Sequence, residues 1–299
     1  MAGSKPSWLT MNRRVHAMTV DVEEHFQVSA FEGYVRRDQW EQQPSRVVNN
    51  TRRLLDLFDT LKLHGTFFVL GWVAERQPSL VREIADRGHE IGCHGYSHRL
   101  IYDQRRDEFR DELLRAKTLL EDQSGQRVVG HRAASFSIGR RNLWALDELV
   151  DAGFEYDSSL FPVRHDRYGV PGAPRSIYRL TTPHGGSLIE VPPSTVALGR
   201  WTLPVAGGGY LRLYPQAITD WAIRRIAGEQ CAAVVYVHPW EVDPEQPRVS
   251  GLPVLRRFRH YVNIDTTERK LQNLAGRHRF GSMRDLISMS GPLPAVSLH

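Results

Sequence analysis

Short apolar runs alternating with amphipathic segments constrain this chain more than any other feature. Runs with the composition of buried strands occupy residues 15–22, 65–70, 90–93, 128–130, 154–156, 188–191 and 232–237. Segments with apolar residues at helical spacing lie between them, at 45–63, 77–87, 107–123, 140–152 and 214–228. Pro78 opens the second of these and Gly88 closes it, the usual order of helix punctuation. Strands alternating with helices predict an α/β fold on a parallel sheet, and seven strands predict a closed barrel rather than an open sheet. With 299 residues, 41% of them hydrophobic, the chain can fill such a core.

The polar residues follow the ends of these runs. Asp21-Val22-Glu23, His94, His131-Arg132, Asp157-Ser158 and His238 each stand where an apolar run stops. In parallel barrels the C-terminal strand ends form the active face, so five strands would deliver reactive groups to one rim. Residues 160–210, rich in Pro and Gly, read as long rim loops around the strand at 188–191. Residues 15–240 then form the barrel and 241–299 an extension packed on it. Pro244, Pro247 and Pro253 oppose regular structure at the start of the extension, and a helix follows around 266–274.

His94-Gly95-Tyr96-Ser97-His98 is the sharpest motif at that rim. Two imidazoles four residues apart on one helical turn can share a divalent ion. Thirteen histidines in 299 residues give such a pair by chance about once in two chains, so its placement carries the weight. A hydrolytic metal site needs about three protein ligands and an open position. Asp21 and Glu23 share a strand face, and either carboxylate can be the third ligand while the other accepts a proton from water. Arg132 can pair with the base carboxylate or form a structural salt bridge. His238 reads either as a core histidine or as a general acid tuned by a carboxylate such as Asp157.

These residues resemble the motifs of the polysaccharide deacetylases of the NodB-homology group, carbohydrate esterase family 4. The resemblance covers about residues 15–240 and implies a distorted (β/α)7 barrel that removes N-acetyl groups from amino sugars with a metal ion. Thr19-Val20-Asp21-Val22-Glu23 resembles the first motif, which would make Asp21 the base and Glu23 a ligand. His94 and His98 would be the other ligands. Arg132-Ala133-Ala134-Ser135-Phe136 is similar to the third motif, in which the Arg orients the base and backbone near Ser135 polarises the substrate carbonyl. Tyr156-Asp157-Ser158-Ser159 and Val235-Tyr236-Val237-His238 resemble the fourth and fifth, with Asp157 as partner of the acid His238. The chain departs from the family by Glu23 in place of an aspartate adjacent to the base, and by Ala134 in place of proline. The stretches 20–23, 207–212 and 238–244 resemble a subgroup encoded in exopolysaccharide loci with exosortase systems. The implied ion is Zn²⁺ and the implied partner an N-acetylated saccharide, free or lipid-linked. Trp72, Trp201, Tyr210 and Trp240 are the rim aromatics that can stack on sugar rings.

Two classes of alternative stand beside this reading. One is an amide or ureido hydrolase acting on a small substrate. The other is an inactive member that only binds polysaccharide. The net charge of +5 does not call for nucleic acid. The basic run Arg256-Arg257-Phe258-Arg259-His260 reads as a solvated face. Cys93 and Cys231 lie in separate apolar runs, which argues for free thiols in a reducing compartment. Residues 1–10 hold no apolar leader core, and no stretch is long enough to span a bilayer. The expectation is therefore a cytoplasmic protein that acts on a precursor, or one attached peripherally to the inner membrane surface through the run near Arg256.

Overall fold

A computed structural model describes residues 14–165 and 167–298. The first strand, β1 (His16–Val22), is buried along its whole length. It lies between β2 (Thr66–Val69) and β10 (Val234–Val237), parallel to both. From β2 the ladder continues in parallel through β3 (Glu90–Cys93), β4 (Gly130–His131), β5 (Tyr156–Asp157) and β7 (Ser187–Glu190). β6 (Tyr178–Thr181) runs antiparallel beside β7, and β12 (Ala295–Ser297) adds to it in parallel. β8 (Thr195–Leu198) and β9 (Trp201–Pro204) form a separate hairpin. The parallel α/β architecture is as predicted, but the predicted closure is not. The hydrogen-bonded path runs from β10 to β12, and no ladder joins its two ends among the described residues. The structure is a curled, open barrel.

Period-two alternation gives β1 two buried faces. Met18, Val20 and Val22 join the large core beneath the helices. Ala17 joins a second cluster inside the curl with Phe68, Tyr156 and Val234. Thr19, Asp21 and Glu23 share the inward side with Ala17. Each buried aliphatic or aromatic side chain of these layers contributes roughly 1.5–3 kcal/mol. The apolar floor and the acidic top of the barrel are thus written into one strand.

The helices cover the outer face. α1 (Val47–Leu61) buries Val47, Leu54, Leu55 and Phe58 along one stripe. α2 (Gly71–Arg76) and α3 (Pro78–Asp86) follow β2. α4 (Arg106–Ser124) ends at Gly125, whose left-handed φ of 67° closes the helix. α5 (Trp144–Asp151), α6 (Gly208–Leu213) and α7 (Gln216–Gly228) precede β10.

The segment after β10 is more regular than its prolines suggested. Pro253 caps α8 (Val254–Tyr261), because a proline before the first turn sacrifices no helical hydrogen bond. α9 (Thr267–Ala275) matches the predicted helix. β11 (Phe280–Gly281) pairs with the start of β1, and α10 (Met283–Ser288) sends Met283 and Leu286 into the inner cluster. The extension therefore plugs the barrel floor. Residues 160–210 likewise hold β6, β8 and β9 where rim loops were expected.

Candidate active site

Asp21 ends the inward row of β1 and is buried. Its Oδ1 accepts a hydrogen bond from Arg132 Nη1 at 2.6 Å. Arg132 is fully buried, donates also to Thr19 Oγ1 (2.8 Å) and Ser158 Oγ (3.1 Å), and lies over the Phe68 ring at 4.2 Å. This fixes one carboxylate oxygen and leaves Oδ2 facing the cavity, 3.9 Å from His238 Nε2.

Glu23, His94 and His98 converge beside Asp21. Each offers one donor atom, all within 4.8 Å of one another. The predicted helical turn for the two histidines is corrected: residues 94–98 form an irregular loop after β3. Left-handed backbone at Gly95 (φ 74°) and His98 (φ 52°) turns both rings toward one point, with centroids 5.5 Å apart. His94 Nδ1 donates to Arg132 O at 2.8 Å, leaving Nε2 as the free donor atom. Burial, partly countered by Asp21, holds the His94 imidazole down at about 4, in the neutral form a metal needs.

Glu23 Oε1 accepts from Trp240 Nε1 at 3.2 Å. Glu23 Oε2 lies 2.8 Å from His98 Nε2, yet this contact lacks hydrogen-bond geometry and Oε2 is a buried acceptor with no donor. Burial raises the Glu23 carboxyl, but His98, His238 and His94 outweigh it and hold the group at about 2. A buried carboxylate oxygen without a donor, beside two imidazoles, fits a divalent ion.

His238 follows β10. Its Nδ1 donates to Glu241 Oε2 at 3.0 Å, and its backbone N–H donates to the same oxygen. Here the sequence reading is corrected. The partner of His238 is Glu241, whereas Asp157 Oδ1 accepts from His131 Nδ1 at 2.7 Å. Asp157 also accepts from the N–H and Oγ of Ser159, so its oxygens are engaged in the wall behind Arg132. Glu241 is itself held by Arg212 Nε at 2.6 Å, and both are buried. Burial lowers the His238 pKa, but Glu241, Glu23 and Asp21 together raise it to about 9. Burial raises Glu241, but Arg212 and His238 pull it to about 2.

Trp240 is buried rather than exposed on the rim. It stacks between His238 (5.0 Å) and His260 (4.3 Å). Tyr210 lines the cavity, with its hydroxyl 3.4 Å from that of Tyr168. Ser135 and Phe136 form the opposite lip with left-handed φ values of 51° and 55°, and Ser135 Oγ meets Ser29 Oγ at 2.6 Å. The whole cavity measures about 260 Å³. Gly207 must be glycine, since a Cβ there would lie 2.0 Å from the Tyr236 ring beside the site. Trp72 packs against Trp40 below the surface, and Trp201 stands exposed on the hairpin.

Glu241, Arg212 and His260 escaped the sequence reading. A signal for Glu241 was present: it lies three residues after His238, the spacing of a capping box in which a side chain reaches back to a backbone N–H.

Residues 38–156 match the family model described as polysaccharide deacetylase, and residues 158–288 match a domain of unknown function, DUF3473. A peptidoglycan deacetylase of Helicobacter pylori is 36% identical over 110 residues, 36% of this chain and 36% of that protein. A peptidoglycan-N-acetylglucosamine deacetylase of Bacillus cereus is 36% identical over 75 residues, 25% of this chain and 27% of that protein. The chain thus spans about a third or less of the length of these curated relatives. A provisionally assigned polysaccharide deacetylase of Mycobacterium smegmatis superposes with a TM-score of 0.62 at 22% identity, covering 99% of this chain and 98% of that one. PuuE allantoinase superposes with a TM-score of 0.59 at 16% identity, covering 96% and 93%. These two likenesses establish the shared fold.

Proposed function

We propose that this chain, whose residues 38–156 match the polysaccharide deacetylase family model, is a metal-dependent hydrolase that removes N-acetyl groups from amino sugars. The observation that carries this reading is the junction of three features in one cavity: the Arg132-aligned carboxylate of Asp21, the Glu23–His94–His98 donor set and the Glu241-held imidazole of His238. In this reading residues 15–240 form the catalytic barrel and 241–299 the extension packed on it.

Glu23, His94 and His98 would hold the ion, and their His₂–carboxylate set suits Zn²⁺. A divalent ion bound there supplies activation of a water molecule and polarisation of the acetamide oxygen. Asp21 accepts the proton from the attacking water, and Arg132 keeps the carboxylate aimed at it. Backbone at the Ser135 turn faces the carbonyl oxygen as it gains charge. As the C–N bond breaks, the nitrogen takes the electron pair and a proton from His238 Nε2, giving acetate and a free amine. Asp157 fixes His131 behind this wall and takes no direct part. Tyr210 flanks the sugar, and Trp240 supports it indirectly by holding Glu23 and His238.

The substrate proposed is an exopolysaccharide or its lipid-linked precursor, handled in the cytoplasm at the membrane surface. The resemblance of 20–23, 207–212 and 238–244 to the exopolysaccharide-locus subgroup supports this. Acetate release from N-acetylglucosamine oligomers, measured together with metal content, tests the reading. Release that depends on bound divalent metal and disappears in Asp21→Asn supports it. Protein that binds no divalent metal, with activity unaffected by that substitution, rejects it.

A further inference from the structure

α8 is attached to the barrel by one end and one side only. His260 is buried, donates from Nε2 to Gln246 Oε1 at 2.8 Å, stacks on Trp240 and packs at a tilt against Phe31. Arg212 binds the carbonyls of Arg259, His260 and Val262, which pins the last turn. The rest of the helix is in solvent. Val254 is 75% exposed, Leu255 59% and Phe258 51%. At 3.6 residues per turn these three lie within an arc of about 100°, and Arg257 and Arg259 flank it on either side. Arg256 is exposed on the side of the helix away from this arc.

An exposed apolar arc bordered by arginines is the pattern of a helix lying in a bilayer interface. Residues 246–264 contain four arginines and no Asp or Glu. Among the described residues none of Arg256, Arg257 and Arg259 has an acidic partner, so their charge is available to an anionic surface. A second copy of the chain meeting this face through a twofold axis would oppose arginine to arginine. No helix among the described residues is long and apolar enough to cross a membrane, so the contact would be interfacial.

We propose that α8 docks the protein onto an anionic phospholipid surface, with Val254, Leu255 and Phe258 entering the acyl boundary and the flanking arginines binding lipid phosphates. Arg259 and His260 also line the cavity that holds His238. Docking would therefore set the cavity mouth at headgroup height, where the sugar of a lipid-linked saccharide stands. That last step rests on the proposed deacetylase function; the docking itself does not.

Co-sedimentation of the full chain with vesicles tests the proposal. Vesicles of phosphatidylcholine with one third phosphatidylglycerol should carry the protein down at low salt and release it at high salt, and pure phosphatidylcholine vesicles should not carry it. Arg257→Gln should lower the partition coefficient about fivefold. The double variant Leu255→Ser, Phe258→Ser should lose sedimentation, while both variants keep wild-type acetate release from soluble oligomers. Equal binding to neutral and anionic vesicles, or undiminished binding by these variants, overturns the proposal. So does a dimer in light scattering that the serine variant disperses, since the occupant would then be a second copy. If wild-type protein releases no acetate, the catalytic reading fails while the vesicle result still decides the docking.

Discussion

Trp240 Nε1 donates a hydrogen bond to Glu23 Oε1 at 3.2 Å while its ring lies between His238 and His260. One side chain thereby aligns the carboxylate of the donor set and supports the imidazole opposite it. Groups that orient a metal ligand typically contribute 10–100-fold to metal affinity. Trp240→Phe keeps an aromatic ring in the stack and removes the donor. Its Zn²⁺ affinity, read by competition with a chromophoric chelator, should fall about tenfold. An unchanged affinity would mean that this hydrogen bond does not tune the ligand.

Asp21→Asn should have two separable effects. Loss of the carboxylate base should lower kcat by about 10²–10⁴-fold. It also leaves the buried Arg132 guanidinium without its counter-charge, at a cost of roughly 3 kcal/mol. Calorimetry should therefore show a lower Tm for the variant, and excess metal should not restore activity. A variant with full stability would imply that Thr19 and Ser158 satisfy Arg132 unaided.

The Glu241–His238 pair gives a pH prediction with a definite sign. The raised His238 pKa, about 9 against an ordinary 6.5, keeps the ring protonated into alkaline solution. The stability it contributes is fully present below pH 6.5 and is lost as pH rises through about 9. Glu241→Gln removes the adjacent charge, so the alkaline limb of the kcat/KM profile should move down by about one pH unit or more. A cation bound at Glu23 lowers both enzymes' limbs together and leaves the direction of this difference intact. The difference in Tm between wild type and variant should also be larger at pH 6 than at pH 10. A limb that does not move would exclude His238 as the titrating acid.

Chelation should unload the site without unfolding the chain, because Trp240 still donates to Glu23 and Arg132 still pairs with Asp21. Adding Zn²⁺ back should raise the Tm, with a stabilisation of about 4 kcal/mol at a thousandfold excess over Kd. His98→Asn should abolish that rise. A Tm rise that persists in this variant would place the ion elsewhere.

β2 and β10 are legible in the sequence because both of their faces are buried, so each appears as an apolar run. β6 has the alternating pattern of a one-sided strand, and β9 is largely exposed, so both are hidden among prolines and glycines. The clustering of Asp21, Glu23, His94, His98, Arg132 and His238 follows from strand ends alone. The loop that joins the two histidines does not, since the i, i+4 spacing also suits a turn of two left-handed residues. The exchange of Asp157 for Glu241 had one sequence signal, the three-residue spacing from His238, but that spacing does not exclude Asp157. Both acids lie near strand ends, and only the packing of His131 against Asp157 and of Arg212 against Glu241 decides which imidazole each one meets.

The barrel ladder also bears on how this protein can be divided. The two family models meet between residues 156 and 158, yet β5 of the first pairs with β7 of the second, and β1, which precedes both, pairs with β10 and β11. The boundary between inherited segments is therefore not a boundary between folding units. Neither half retains a complete hydrogen-bonding partner set when severed from the other, and the chain should melt as one cooperative body. Shuffling the second segment among relatives would exchange structural staves of the catalytic vessel along with any specificity they carry.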